Sequence, residues 1–383
     1  MINKKRLLKL TRDLIAIKSE NPPGNESVIA DFVKRYLQNI GLSPEVCEFR
    51  KNRTNVIAVL PGTRNSIPAG KAGLSLLITP HLDTVPAGKN WIYPPFAGRV
   101  VKGKLYGLGS TDCKCNLACS LEVMQSLIED RITLGYNIIM AATADEESGS
   151  GLGLIPLLDK GIVKPNAALV LDADDFDIVV AQKGLIHLKI IIHGKRAHGA
   201  YPWMGVNAID LMSGVLSDVK AWKFAYKENQ YLRPPTVNFG TIRGGDKVNV
   251  VADWCECELD FRFLPGTRAT DILAALRKII AARTKNFELE IQGIQQPYQI
   301  SEKHPLVIGL QDAARQCGVR SRVKGSEGAT VITFFQHKGI PAVATGAGCS
   351  GQAHCINEYV SVENLYKGAM ILETFLRKYK FES

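Results

Sequence analysis

Four short runs, TNVIAVLPG, LSLLITP, YNIIMAATA and AALVLDA, are apolar almost without interruption and rich in strand-forming residues. A strand with one wet face alternates apolar and polar residues, whereas a strand buried on both faces does not. These runs therefore predict strands of a sheet covered on both sides, which is the parallel-sheet pattern. Between them, NLACSLEVMQSLIEDR and GLGLIPLLDKG have the length and stop signals of helices. Helical periodicity also runs through residues 3–17 and 26–40, with Gly41 placed where a left-handed turn ends the second helix. The βαβ rhythm predicts a doubly wound α/β domain with a mostly parallel sheet.

From about Gln182 the rhythm changes. GLIHLKIIIHGK reads as a long alternating strand, followed by a helix around Gly205–Trp222. TVNFGTIRGG and NVVADWCECELDFRFLPG read as strands, Ala269–Thr284 as a helix and NFELEIQG as a last strand. The order β-α-β-β-α-β is that of a ferredoxin-like α+β unit. HPLVIGLQDAARQCG, ATVITFFQHKG and IPAVATG then return to alternating helix and strand. The expectation is an α/β domain in two parts, 1–181 and 295–383, with a smaller α+β domain inserted over 182–294.

Composition excludes several classes. A chain of 383 residues is too long for one ordinary core. No run approaches the ~18 apolar residues of a membrane span, so no membrane partner is expected. The basic start, MINKKRLLKLTRDLIAIKSENPPG, lacks a cleavage site and fits an amphipathic helix, so a cytoplasmic location is expected. The formal charge of +10 comes from scattered residues rather than a basic stripe. That suits a solvated surface and small anionic substrates, and argues against nucleic acid. Nine cysteines in such a chain are expected to be reduced thiols.

Each apolar strand of the first part ends in residues that suit a metal. HLDTVPAG delivers His81 and Asp83, DEESG delivers Glu146 and Glu147, and DADDFD delivers Asp172 with a cluster beyond it. Taken singly, these are ordinary: a local hydrogen bond, a helix N-terminus, an exposed acidic loop. Open α/β sheets, however, bind ligands at the carboxyl ends of their strands. Acidic groups crowded there repel one another unless divalent cations compensate them.

HLDTVPAG, YGLGSTDCK, DEESGSGLG, LDADDFDIVVAQKG, GKRAHGAYPWMGVNAI, NFGTIRGGDKVNVV, ELDFRFLPG and GAGCSGQAHCINEYV occur in this order over nearly the whole chain. In them the chain resembles the zinc-dependent aminoacylase, acetylornithine deacetylase, succinyl-diaminopimelate desuccinylase and carboxypeptidase superfamily. The resemblance implies a homodimeric hydrolase that cleaves the amide of a small acylated amino acid or dipeptide. It implies two divalent metal ions per chain, most readily zinc, with cobalt or manganese as substitutes. The α/β domain becomes the catalytic one and the inserted domain a dimerisation or lid domain.

Residue by residue, His81, Asp112, Glu147, Asp172 and His354 resemble metal ligands, with Asp112 bridging and Asp174 a rival to Asp172. Asp83 resembles the carboxylate that orients His81, Glu146 the general base, and His198 a donor to the developing oxyanion of the neighbouring subunit's site. Asn249 and Arg262 match positions that hold a substrate carboxylate, Arg262 having an ordinary salt bridge as its alternative.

The chain also departs from the pattern. Cys115 follows Lys114 where relatives commonly have glycine, Glu327 is only loosely placed, and Ala347 stands where proline is frequent. Cys113, Cys115 and Cys119 lack both structural-zinc and Cys-x-x-Cys spacing, and read as neighbours of the site rather than ligands. Thiols so close to metals, Cys349 and Cys355 included, could compete for them or sensitise the site to oxidants. A metallocarboxypeptidase or dipeptidase of the same superfamily is the alternative function. A non-catalytic ligand-binding relative and a thiol oxidoreductase are the alternatives of other classes.

Overall fold

The computed structural model of the protein describes residues 1–62 and 73–382. The chain divides into two compact units: Met1–Val180, Ile300–Lys324 and Phe334–Ser383 form the first, and Ala181–Gln299 with Gly325–Thr333 the second. The chain runs α1 (Lys4–Ala16), α2 (Ser27–Asn39), β1 (Glu45–Arg50), β2 (Arg53–Leu60), β3 (Ser75–Thr79), β4 (Arg99–Val101), β5 (Lys104–Tyr106), α3 (Lys114–Glu129), β6 (Asn137–Ala142), α4 (Leu154–Asp159), β7 (Ala167–Leu171) and β8 (Ile178–Gln182). It continues through β9 (Gly184–His193), α5 (Ala208–Ala221), β10 (Thr236–Gly244), β11 (Trp254–Phe263), α6 (Ala269–Arg283), β12 (Phe287–Gln295) and β13 (Tyr298–Gln299). It closes with α7 (Pro305–Gln316), β14 (Val323–Ser326), α8 (Ile332–Gln336), β15 (Ala342–Thr345), β16 (Tyr359–Ser361) and α9 (Val362–Lys378).

In the first unit the strand order is β1-β2-β6-β3-β7-β15-β8. The centre is parallel, β3 pairing with both β6 and β7, and β15 with β7. Every residue of β3 and β7 is buried, as their unbroken apolar runs demand. One expectation needs correction. β2 is as apolar as its neighbours, but it pairs antiparallel with both β1 and β6. Lys51 and Asn52, the latter left-handed with φ 66°, turn β1 directly into β2 and leave no room for a crossover. Apolar continuity reports burial on two faces and says nothing of direction.

Helix α1 is capped by the Asn3 side chain, which accepts the Lys5 and Arg6 N–H groups at 3.1 Å. It buries Leu7, Leu10, Thr11, Leu14 and Ile15, a stripe at helical spacing. Helix α3 is buried nearly all round and packs against α1 and α9. No helix among the described residues is long and apolar enough to cross a membrane.

The second unit holds an antiparallel sheet of order β10-β11-β9-β12, the ferredoxin-like arrangement. Alternate residues of β9 and β11, including Ile186, Leu188, Ile190, Leu259, Phe261 and Phe263, form a core with Met212 and Val215 of α5 and Leu276 and Ile280 of α6. The intervening residues of these strands are more exposed, so this sheet shows the period of two that the first lacks.

Candidate metal centre

Because β6, β3 and β7 are parallel neighbours, their carboxyl ends lie on one edge of the sheet. His81 follows β3 by two residues, Glu146 and Glu147 follow β6 in a single 3₁₀ turn, and Asp172 directly follows β7. Asp112 stands two residues before α3, and His354 lies in the loop between β15 and β16. Fold topology alone therefore gathers side chains from five stretches of sequence.

The gathering is close. His81 Nε2 lies 2.9 Å from Asp112 Oδ1 and 3.8 Å from Asp172 Oδ1. His354 Nε2 lies 3.2 Å from Asp112 Oδ2 and 3.0 Å from Glu147 Oε2. Asp112 thus turns one oxygen to each histidine. Two sets of donor atoms fall within 4.8 Å of one another: His81, Asp112 and Glu147, and His81, Cys113 and Asp172. Asp174 is in neither set; it forms a bridge with Gly348 instead, and burial pushes its carboxyl up to about 6.

The histidines and carboxylates shift one another's hold on protons. Asp112 and Glu147 hold the His354 imidazole protonated up to about 10. Burial, then Asp172, raises the Glu146 carboxyl well above the usual range, whereas His354 and His81 outweigh burial at Asp112 and keep it low. Glu147 Oε1 is buried and, among the described residues, has no hydrogen-bond partner. A buried carboxylate oxygen without a donor is costly unless a cation meets it. The His81 ring points the same way. Its Nδ1 donates to the Asp83 carbonyl at 3.0 Å, which turns Nε2 toward Asp112 and Asp172 as the atom a ligand would take once the ring gives up its second proton. The donor set of imidazoles and carboxylates fits divalent metal ions.

Asp83 does something the sequence did not reveal. Its carboxylate is 3.5 Å from His81 Nδ1, farther than its own carbonyl, and its two oxygens accept the Glu146 and Glu147 N–H groups, each at 3.1 Å. Glu358 is a second surprise. Buried beneath the Asp112 loop, it accepts N–H groups from Gly109, Thr111 and Asp112 at 2.8, 2.7 and 3.0 Å. Burial still pushes it up to about 7, against the pull of those donors. A buried glutamate looks like any surface glutamate in a sequence, and only its place in CINEYV, between the His354 loop and β16, hinted at a role.

The cysteines separate. Cys115 and Cys119 donate to the carbonyls of Thr111 and Leu365 and lie in neither donor set. Cys349 accepts the Ser361 N–H, and Cys355 is exposed. Cys113, which the sequence suggested was a bystander, brings its buried sulfur among the donors and accepts the His81 N–H at 3.2 Å.

The remaining expected residues belong to the second unit. His198 is exposed, and its Nδ1 accepts the Ala200 N–H at 3.0 Å, so the neutral ring keeps its proton on Nε2 as an outward donor. His198 and Asn249 are neighbours, through the bridge from His198 to Val250 and the bond from Gly199 N–H to the Asn249 carbonyl. Arg262 is engaged by Asp260, Nε to Oδ1 at 2.7 Å and Nη2 to Oδ2 at 2.9 Å. Glu327 forms an ion pair with the buried Lys183 at 2.6 Å.

Comparison with known proteins gives this geometry a family. The model of Peptidase family M20/M25/M40 matches residues 77–378. An acetylornithine deacetylase of Vibrio cholerae is 27% identical over 369 residues, covering 94% of this chain and 93% of that one. Aminopeptidase PepT from Bacillus cereus has a similar fold, with a TM-score of 0.82, 24% identity and 98% of each chain covered. So does the Bacillus subtilis YXEP protein, a dinuclear metal-binding peptidase, with a TM-score of 0.75, 17% identity and coverage of 98% and 97%.

Proposed function

The chain belongs to the peptidase family M20/M25/M40 and is a hydrolase of amide bonds, and from that premise we propose that it deacylates an N-acylated amino acid of the acetylornithine type. The observation that carries this is the convergence of His81, Glu147, Asp172, Asp112 and His354 around a half-buried Glu146. The acetylornithine deacetylases that align over nearly the whole chain support the substrate class.

In this proposal His81, Asp112, Glu147, Asp172 and His354 hold two divalent metal ions, zinc being favoured by the mixed imidazole and carboxylate donors. Such ions, when bound, polarise the amide carbonyl and acidify water. Glu146 takes the proton of the attacking water as the new C–O bond forms. It returns that proton to the amine nitrogen as the C–N bond breaks, so one carboxyl serves as base and then acid.

The stretch 182–294 is assigned the pairing of two chains. His198 presents an Nε2 donor, and Trp203, Met204 and Val248 near it are strongly exposed. From a partner chain that donor would meet the developing oxyanion. Asn249 and Arg262 are assigned the substrate carboxylate, Arg262 exchanging Asp260 for it.

The test is metal content per chain on protein purified without chelator, followed by hydrolysis of N-acetylornithine, other N-acyl amino acids and dipeptides. Two zinc ions with acyl amino acids preferred supports the proposal. Preference for dipeptides moves the assignment to a dipeptidase, and no metal after reconstitution with zinc overturns it.

A further inference from the structure

Four consecutive backbone N–H groups, from Ala144 to Glu147, donate to buried side chains remote in sequence. Ala144 bonds Asn55 Oδ1 at 2.9 Å, Asp145 bonds Glu26 Oε1 at 3.2 Å, and Glu146 and Glu147 bond the two oxygens of Asp83 at 3.1 Å. Asp145 itself is left-handed, with φ 66°, a conformation that its own residue type tolerates but does not impose. The turn bearing the two glutamates therefore takes its shape from side chains around it.

One of those side chains, Glu26, is held by Arg53. Its Nε and Nη2 bond Glu26 at 2.7 and 2.9 Å, and Nη2 also bonds Asp145 Oδ1 at 2.6 Å. The second oxygen of Asp145 accepts the Leu152 N–H at 2.9 Å. Asn21 Nδ2 links Asp83 Oδ2 at 2.9 Å to Asp145 Oδ1 at 3.4 Å. Arg53, Glu26, Asn21, Asp83 and Asp145 are all buried. Gly24, with φ 79°, makes the space, since a Cβ there would stand 2.4 Å from Arg53 Cζ. The stretch NPPGNE, which no metal ligand uses, thus supplies Asn21, Gly24 and Glu26 to this network.

Buried carboxylates without a counter-charge repel one another and take on protons or move apart. Only a planar fork can bond Glu26 at two atoms and still reach Asp145. We propose that Arg53 is a positioning residue for the hydrolysis: by clamping Glu26 to Asp145 it holds the turn that aims Glu146 at the substrate and Glu147 at the metal. The inference rests on the roles proposed above for those two glutamates.

Arg53→Lys keeps the charge and removes the fork, so it separates geometry from electrostatics. The expected result is a metal-free protein that melts close to the parent and binds zinc ~10–100-fold more weakly in chelator competition, the usual cost of losing an outer partner of a ligand. Saturated with zinc, it should lose a similar factor in kcat with KM little changed. Because Arg53 acts through Asp145, adding Arg53→Lys to Asp145→Asn should cost less than the two single losses combined. Should the Lys variant fold poorly, Glu26→Gln, which keeps an acceptor for the Asp145 N–H, is measured the same way and should weaken zinc in the same direction. Unchanged zinc affinity and kcat, additive losses, or lower melting with neither readout altered overturns the inference. A parent chain that binds no zinc defeats the proposed function and this inference together. A parent that binds zinc no more tightly than its Lys variant defeats the inference alone.

Discussion

Glu358 accepts the backbone N–H of Asp112 at 3.0 Å across 246 residues of chain. Oε2 takes the Gly109 N–H, and Oε1 takes those of Thr111 and Asp112. Gln in its place turns an amide NH₂ toward at least one donor. Glu358→Gln should therefore destabilise the fold by about 1–3 kcal/mol, the cost of leaving buried donors unmet. Urea unfolding of the metal-free protein measures it, and an unchanged midpoint would show that the loop does not depend on this anchor.

Glu146 and Glu147 are adjacent in sequence, but only Glu147 lies in a donor set with His81 and Asp112. Glu146→Gln should keep the parent's metal content and lose ~10²–10⁴-fold in kcat, the range of acid–base contributions. Glu147→Gln should lose metal instead. Metal analysis beside turnover distinguishes them, and equal metal loss in both would contradict the division of roles.

Cys113 Sγ is the one sulfur in the donor sets of the described residues. Burial pushes this thiol up to about 12, so it is a poor nucleophile without a metal. Cys113→Ser should alter the visible and near-ultraviolet spectrum of the cobalt-loaded protein, whereas Cys115→Ser and Cys119→Ser should not. Identical spectra for all three would leave Cys113 a packing residue.

Asp177 is buried, and it pairs with Arg322 at 2.8 Å and Lys324 at 3.2 Å. Burial favours its neutral form, but the two cations outweigh it and hold the carboxyl below the usual range. A carboxyl depressed in the folded state contributes stability above the unfolded value of about 3.9, and that contribution disappears as pH falls toward the folded value. Urea midpoints followed from neutral pH down to about 3 should fall less steeply for Asp177→Asn than for the parent. Parallel curves would mean that the pair contributes nothing.

Much of this architecture was legible in the residues. The runs LSLLITP and AALVLDA became fully buried parallel strands, and GLIHLKIIIHGK, which alternates, became a strand with one inner face. The run TNVIAVLPG misled about direction, because burial on both faces is common to parallel strands and to an inner antiparallel one. The network of Asn21, Glu26, Arg53 and Asp145 gave no sequence signal. Buried polar residues have the same letters as exposed ones, and Glu26 Oε1 and the N–H of Asp145 meet across 119 residues.

The sequence by itself determined the element types and which strand ends would carry metal-type side chains, because periodicity and strand length are local properties. Only the tertiary structure decided that His81, Asp112 and Asp172 come within 4 Å of one another's donor atoms in the pairs His81–Asp112 and His81–Asp172. It alone decided that Glu147 Oε1 is buried without a partner among the described residues, and that Arg53 is the arginine buried against the glutamate turn. Those distances depend on parallel strand order and on close packing of buried charges, and both arise from contacts between residues far apart in the chain.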